Sequence, residues 1–322
     1  MSKPSAIDAG LEAILSGDLL AASKLIRRIE DRDPSTRPLL KALYGHGGRA
    51  RIVALTGAPG VGKSTLAAQL VGGFRAADKR VAVLAVDPSS PFTGGAILGD
   101  RIRLSSHFTD SGVFIRSMAT RGHLGGLARA SGEAIQVLDA MGWDIILIET
   151  VGVGQAEVEV VHLADTVILA VEPGAGDDVQ AAKAGIMEIA HIFVVNKARR
   201  EGAEQSARMI EEMLHDRPGA REGAWFPPVL QTDALDGMGI GELMEAIAGR
   251  DAHLEAHPEA ADRIRRGRAR RILEETLKSI AAERYLGGRE GEPGFEKIIG
   301  EIADRKEDPY TAAERLLGSG EG

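Results

Sequence analysis

Short apolar runs separated by segments of helical spacing dominate the middle of the chain. Such runs fall at 52–56, 81–86, 113–115, 145–148, 167–171, 192–195 and 228–231, and they are rich in Val and Ile. Most are continuous rather than alternating, which is the pattern of strands covered on both faces and predicts a mainly parallel sheet. Parallel neighbours require right-handed crossovers, so residues 49–250 are expected to form an α/β domain with a doubly wound, mainly parallel sheet. Upstream, 7–16 and 19–29 carry helical apolar spacing, broken near Asp33 and Pro34 and by the glycines between Gly45 and Gly48. Residues 1–48 therefore read as an N-terminal helical extension. Downstream, 251–286 reads as one long helix, followed by a break from Gly287 to Pro293 and short helices at 295–304 and 309–317. This 251–322 arm has too little apolar content to fold alone, so it is expected to pack on the main domain or on a second copy, with a homodimer favoured.

Composition narrows the class. Aromatic residues make up only 4% of the 322, so Ala, Val, Ile and Leu must fill the core. The formal charge of −8 argues against a nucleic-acid-coating protein. Arginines cluster between Arg263 and Arg271, but the nearby Glu255, Glu259, Glu274 and Glu275 favour a solvated helix face. The absence of Cys excludes disulfides and thiolate metal sites and fits a reducing compartment. No signal-like segment or long apolar run is present, so a cytoplasmic protein with no membrane partner is expected.

The chemistry centres on the end of the first apolar run. Gly57, Ala58, Pro59, Gly60, Val61, Gly62, Lys63, Ser64 and Thr65 spell the Walker A phosphate loop, strand before and helix after. The glycines let successive N–H groups point at one phosphate chain, and the following helix contributes its positive end. Lys63 is placed to reach the β- and γ-phosphates, and the Ser64 hydroxyl to ligate Mg²⁺. A nucleoside triphosphate is the implied ligand.

Such a loop needs an acid on a neighbouring strand. Asp87 and Glu149 both close apolar runs, and the alternative for each is a helix or turn cap. Glu149 to Gly152 resembles the D-x-x-G of GTPases with Glu replacing Asp, which would set the Gly152 N–H against the γ-phosphate. Asp100 and Arg103 lie in a glycine-rich stretch that either completes the Mg²⁺ shell and meets phosphate or is a plain surface loop. Asp177 and Asp178 follow another strand-to-glycine-loop junction, where a helix cap and a mobile contact loop are both open. Asn196 and Lys197 begin a guanine-reading N-K-x-D, but Arg199 occupies the place of its Asp. That Asp accepts from the ring N–H and the exocyclic amine of guanine, whereas Arg has donors only. Glu201 or backbone carbonyls remain as substitutes, and a P-loop ATPase or small-molecule kinase remains as the alternative.

Taken together, these motifs resemble those of the methylmalonyl-CoA-mutase-associated GTPases, the MeaB/ArgK family of P-loop proteins. The resemblance rests on the phosphate loop 57–65, on 86–95, 98–103, 117–126 and 149–155, on 172–180, and on 308–317 near the C-terminus. It implies a homodimeric GTPase chaperone that binds GTP and GDP with Mg²⁺. Such a protein gates adenosylcobalamin loading into an acyl-CoA mutase and protects that enzyme, and its C-terminal arm builds the dimer. It makes Asp87, Asp100 and Glu149 the acids of the Mg²⁺ and switch network. Residues 94–103 with Arg103 become switch I, 149–155 with Gln155 switch II, and 177–183 with Asp177, Gln180 and Lys183 a partner-responsive third switch. Thr232 and Ala234 fall where the last base-contacting loop belongs. Metal-insertion GTPases are disfavoured by the lack of Cys and the scatter of the eight His. A nucleotide-locked scaffold without turnover is the remaining alternative.

Overall fold

The computed structural model describes residues 6–87, 109–119, 126–150, 155–174, 186–215, 224–287 and 291–318. Seven strands form one sheet: β1 Arg51–Gly57, β2 Val81–Asp87, β3 Val113–Ala119, β4 Ile145–Thr150, β5 Thr166–Val171, β6 Ile192–Asn196 and β7 Val229–Thr232. Their order is β3-β2-β4-β1-β5-β6-β7. Every neighbouring pair is parallel, so the predicted mainly parallel sheet is parallel throughout these strands. Strands β1, β2, β4, β5 and β6 are buried almost end to end, which is why their sequences run apolar without alternation.

One face of the sheet is covered by α4 (Lys63–Ala76) and α9 (Ile240–Ala256). Leu66, Leu70, Val71 and Phe74 of α4 pack with Val53 and Leu55 of β1, Val83 of β2, Leu147 of β4, and Leu243 and Ile247 of α9. The remaining helices of this unit are α1 Ala6–Leu15, α2 Leu19–Glu30, α3 Arg37–Leu43, α5 Gly126–Ala140, α6 Gln155–Val161, α7 Ile186–Ile189 and α8 Ala203–His215. Asp18 caps α2 by accepting from the N–H groups of Leu20 at 2.8 Å and Ala21 at 3.0 Å. The N-terminal helices are tied to the sheet domain by polar contacts. Arg116 of β3 pairs with Glu30, and Gln136 of α5 donates to the Leu40 carbonyl at 2.6 Å. Asp139 accepts from the N–H groups of Arg49 at 3.0 Å and Ala50 at 2.9 Å.

The long helix expected at 251–286 is two helices, α9 and α10 (Pro258–Leu286). His257 leaves the helical region, with φ −125° and ψ 74°, because the ring of Pro258 excludes that conformation from the residue before it. On α10, the exposed Arg265 and Arg266 pair with the half-buried Asp262, in keeping with a solvated face. Arg268 does not belong to that face, because it pairs with Asp165, whose other oxygen accepts from the Ile52 N–H at 2.9 Å. The chain divides into compact units at 1–268 and 269–322. The second contains the end of α10, α11 (Pro293–Ala303) and α12 (Pro309–Gly318). Among the described residues, no helix is long and apolar enough to cross a membrane.

At the amino-terminal end of the sheet, His191 is a partly buried imidazole wired into the backbone. Its Nδ1 accepts from the Val167 N–H at 3.0 Å, and its carbonyl accepts from the Trp225 indole at 2.7 Å. Burial, helped by the nearby Arg250 charge, pushes its pKa down to about 3. An unfolded chain takes up this proton near pH 6.5, so stability is complete above that pH and is lost as pH falls toward the folded value. Between pH 6.5 and 5, this one group is expected to cost about 2 kcal/mol. Urea titrations of His191→Asn should show a flatter pH dependence over that interval, and an unchanged slope would refute the assignment.

Candidate functional site

The site grows from the carboxyl end of β1, at the centre of the sheet. Gly57 has φ +150°, and a Cβ there would stand 2.1 Å from the Ala170 carbonyl oxygen of β5. Only glycine lets β1 keep its pairing and turn into the loop. Gly62 (φ +99°) precedes α4, and a Cβ at this position would lie 2.5 Å from the Asn196 amide nitrogen. The loop therefore packs directly against β6, and the first turn of α4 opens at its end, where the helix dipole favours an anion.

Lys63 is buried, and its ammonium donates to the carbonyls of Gly57 at 2.8 Å and Ala58 at 2.9 Å. The charge is thereby held over the loop that is to receive phosphate. Ser64 donates its hydroxyl proton to Glu149 Oε1 at 2.6 Å. Glu149 reaches it because β4 is the neighbour of β1, with Glu149 in register with Leu55. On the other side of β4, β2 ends one residue beyond the Val86–Thr150 register pair, in the buried Asp87. Thr150 Oγ1 and Thr56 Oγ1, 2.9 Å apart, join the ends of β4 and β1.

Asn196 links three segments from a fully buried position. Its amide nitrogen donates to the Val61 carbonyl at 2.7 Å. Its amide oxygen accepts from Thr232 Oγ1 at 3.0 Å and the Ala234 N–H at 3.1 Å. Lys197, at φ +61°, donates to the Gly60 carbonyl at 2.8 Å and pairs with Glu172 at 3.0 Å. Arg200 joins the same Glu172 carboxylate. Gln69 of α4 donates to the Ala234 carbonyl at 2.9 Å, so the 232–234 loop is held from two sides.

The structure thus brings the phosphate loop 57–65, Asp87, Glu149, Asn196, Lys197, Thr232 and Ala234 to one end of the sheet. Gln155 opens α6. Asp100, Arg103, Gly152, Asp177, Gln180 and Lys183 lie outside the described residues. Sequence reasoning missed the Glu172 anchor for Lys197 and the partner of Arg199. That partner is Asp236, 2.8 Å away. The signal available for it was an acid two residues past Ala234 in a glycine-bearing loop.

Fold and site define a P-loop nucleoside triphosphatase, with a phosphate loop at the head of a parallel sheet and acids on the adjoining strands. The same overall architecture occurs in a crystal structure of an LAO/AO transport system kinase, with a TM-score of 0.68 at 23% identity, covering 99% of this chain and 98% of that one. The family model for methylmalonyl Co-A mutase-associated GTPase MeaB matches residues 22–287, and the chain belongs to that family. A relative from Pyrococcus abyssi is 47% identical over 317 residues, covering 97% of this chain and 96% of its own. The GTPase ArgK of Escherichia coli is 36% identical over 244 residues, 74% of this chain and 73% of ArgK. The mitochondrial methylmalonic aciduria type A homolog of Caenorhabditis elegans is 33% identical over 258 residues, 73% of this chain and 63% of that protein.

Proposed function

We propose that this protein is a Mg²⁺-dependent GTP hydrolase that acts as a homodimeric chaperone. Its client is an adenosylcobalamin-dependent acyl-CoA mutase, whose cofactor loading it gates. Family membership supports the hydrolase and the mutase connection. The observation that carries the chemistry is the arrangement of Lys63, Ser64 and Glu149 around the phosphate loop.

The donor set suits a hard divalent cation. Ser64 donates a hydrogen bond to Glu149, and its hydroxyl oxygen together with the Glu149 and Asp87 carboxylates would supply oxygen ligands. Mg²⁺ bound there would neutralise charge on the β- and γ-phosphate oxygens. The protein's own part is positional. Loop N–H groups and the amino end of α4 hold the phosphates, and Lys63 exchanges the Gly57 and Ala58 carbonyls for phosphate oxygens. Asn196 fixes the loop against the segment that carries Thr232 and Ala234, where the base would lie.

Support for the dimer comes from α10. Leu273, Leu277 and Ile280 are spaced along one helix face and are 59%, 57% and 43% exposed. A second copy would cover them.

Phosphate release should be measured with GTP and ATP in parallel, with and without an adenosylcobalamin mutase, alongside light scattering. GTP is expected to be hydrolysed in preference, faster with the mutase, by a species of twice the chain mass. Equal use of ATP would favour the ATPase alternative raised by Arg199, and indifference to the mutase would remove the chaperone role.

A further inference from the structure

Guanine presents two donors side by side, its ring N1–H and its exocyclic amine, and a protein that selects it must offer a matched pair of acceptors. Arg199, in the N-K-x-D position, offers none. Its guanidinium instead lies 2.8 Å from Asp236 Oδ2, on the loop between β7 and α9.

That loop is closely laced to the one carrying Arg199. The Ala198 N–H donates to the Thr232 carbonyl at 2.9 Å, and the Ala234 N–H donates to Asn196 at 3.1 Å. Asp233 is occupied with its own turn, accepting from the Leu235 N–H at 3.3 Å and donating its N–H to the Met238 carbonyl at 3.0 Å. Asp236 is thus the acid of this loop that stands beside position 199. Leu235, 83% exposed next to Ala234, offers an apolar surface of the kind that covers a ring face.

We propose that Asp236 is the specificity-determining carboxylate for guanine, in the place left by Arg199, and that Arg199 is a positioning residue that orients it. The inference rests on the GTP reading above. A carboxylate has about four lone-pair sites, so one arginine contact leaves room for both base donors. Asp236 and Arg199 are 46% and 66% exposed, so the pair is open to a ligand. An exposed ion pair contributes little to stability, so recognition is the stronger account of it.

The test exploits xanthine, which carries an oxygen where guanine has its amine. An asparagine amide matches that edge, one acceptor for the ring N–H and one donor for the oxygen. Calorimetric titrations of GDP, XDP and ADP against wild type and Asp236→Asn should show the GDP-to-XDP affinity ratio falling by about 10²–10⁴-fold in the variant. Arg199→Ala should weaken GDP several-fold, and Arg199→Lys should recover part of that loss. A wild type that prefers GDP, paired with a variant whose ratio is unchanged, would overturn the role of Asp236 while leaving the GTPase standing. A wild type that binds ADP as tightly as GDP would overturn the guanine reading itself.

Discussion

Lys63→Ala is expected to lower the rate of GTP turnover by about 10²–10³-fold, the usual consequence of removing a preorganised charge from developing phosphate charge. Among the described residues, the neighbouring cations cannot replace the loss. The ammonium sits inside the loop, on the carbonyls of Gly57 and Ala58, and is buried. Arg199 and Arg200 are committed to Asp236 and Glu172. The same removal exposes two carbonyls to whatever water can enter, a cost of about 1–3 kcal/mol. Thermal melting should therefore show a modestly less stable but folded variant, while phosphate release under single-turnover conditions collapses. Turnover within tenfold of wild type in a folded variant would defeat the assignment of the site.

The sheet was legible because burial on both faces writes itself into sequence as unbroken Val and Ile runs, and β1, β2, β4, β5 and β6 are of this kind. β3 was read short, as 113–115, because Arg116 and Ser117 interrupt the run. The strand continues to Ala119, and Arg116 is spent on Glu30 of the N-terminal helices, a partner far away in sequence. The helix break at Pro258 was missed for the opposite reason: the apolar spacing runs through it, although the backbone cannot.

The phosphate loop was readable because its chemistry is local, nine consecutive residues whose conformations are fixed by glycine. Glu149 was readable as the end of an apolar run, but its bond to Ser64 depends on β4 lying next to β1. The base side of the site depends on register between β6 and β7, which pairs Asn196 with Thr232 and brings 199 to 236. Read as sequence, Arg199 is the loss of an acceptor. In the fold, it is the neighbour of a new one.

Asn196→Ala tests that base-side assembly as a whole. One side chain joins the phosphate loop through Val61 to the 232–234 loop through Thr232 and Ala234, with bonds of 2.7, 3.0 and 3.1 Å. It does so at 2% exposure, so its removal leaves buried groups that water reaches poorly. Stability is expected to fall by about 2–4 kcal/mol. GDP affinity is expected to fall by about 10²-fold, because both loops must then be ordered at the expense of binding. Asn196→Asp separates the two ends of the linkage. It keeps an acceptor for Thr232 and Ala234 but sets a carboxylate oxygen against the Val61 carbonyl where an N–H stood at 2.7 Å. The aspartate should therefore be no more stable than the alanine and should bind nucleotide less well, since negative charge then faces the phosphate loop. Melting curves and calorimetry with GDP measure both quantities. If the two variants bind like wild type, Asn196 is a packing residue, and the bridge between phosphate and base must be sought in Lys197 and its contact with Gly60.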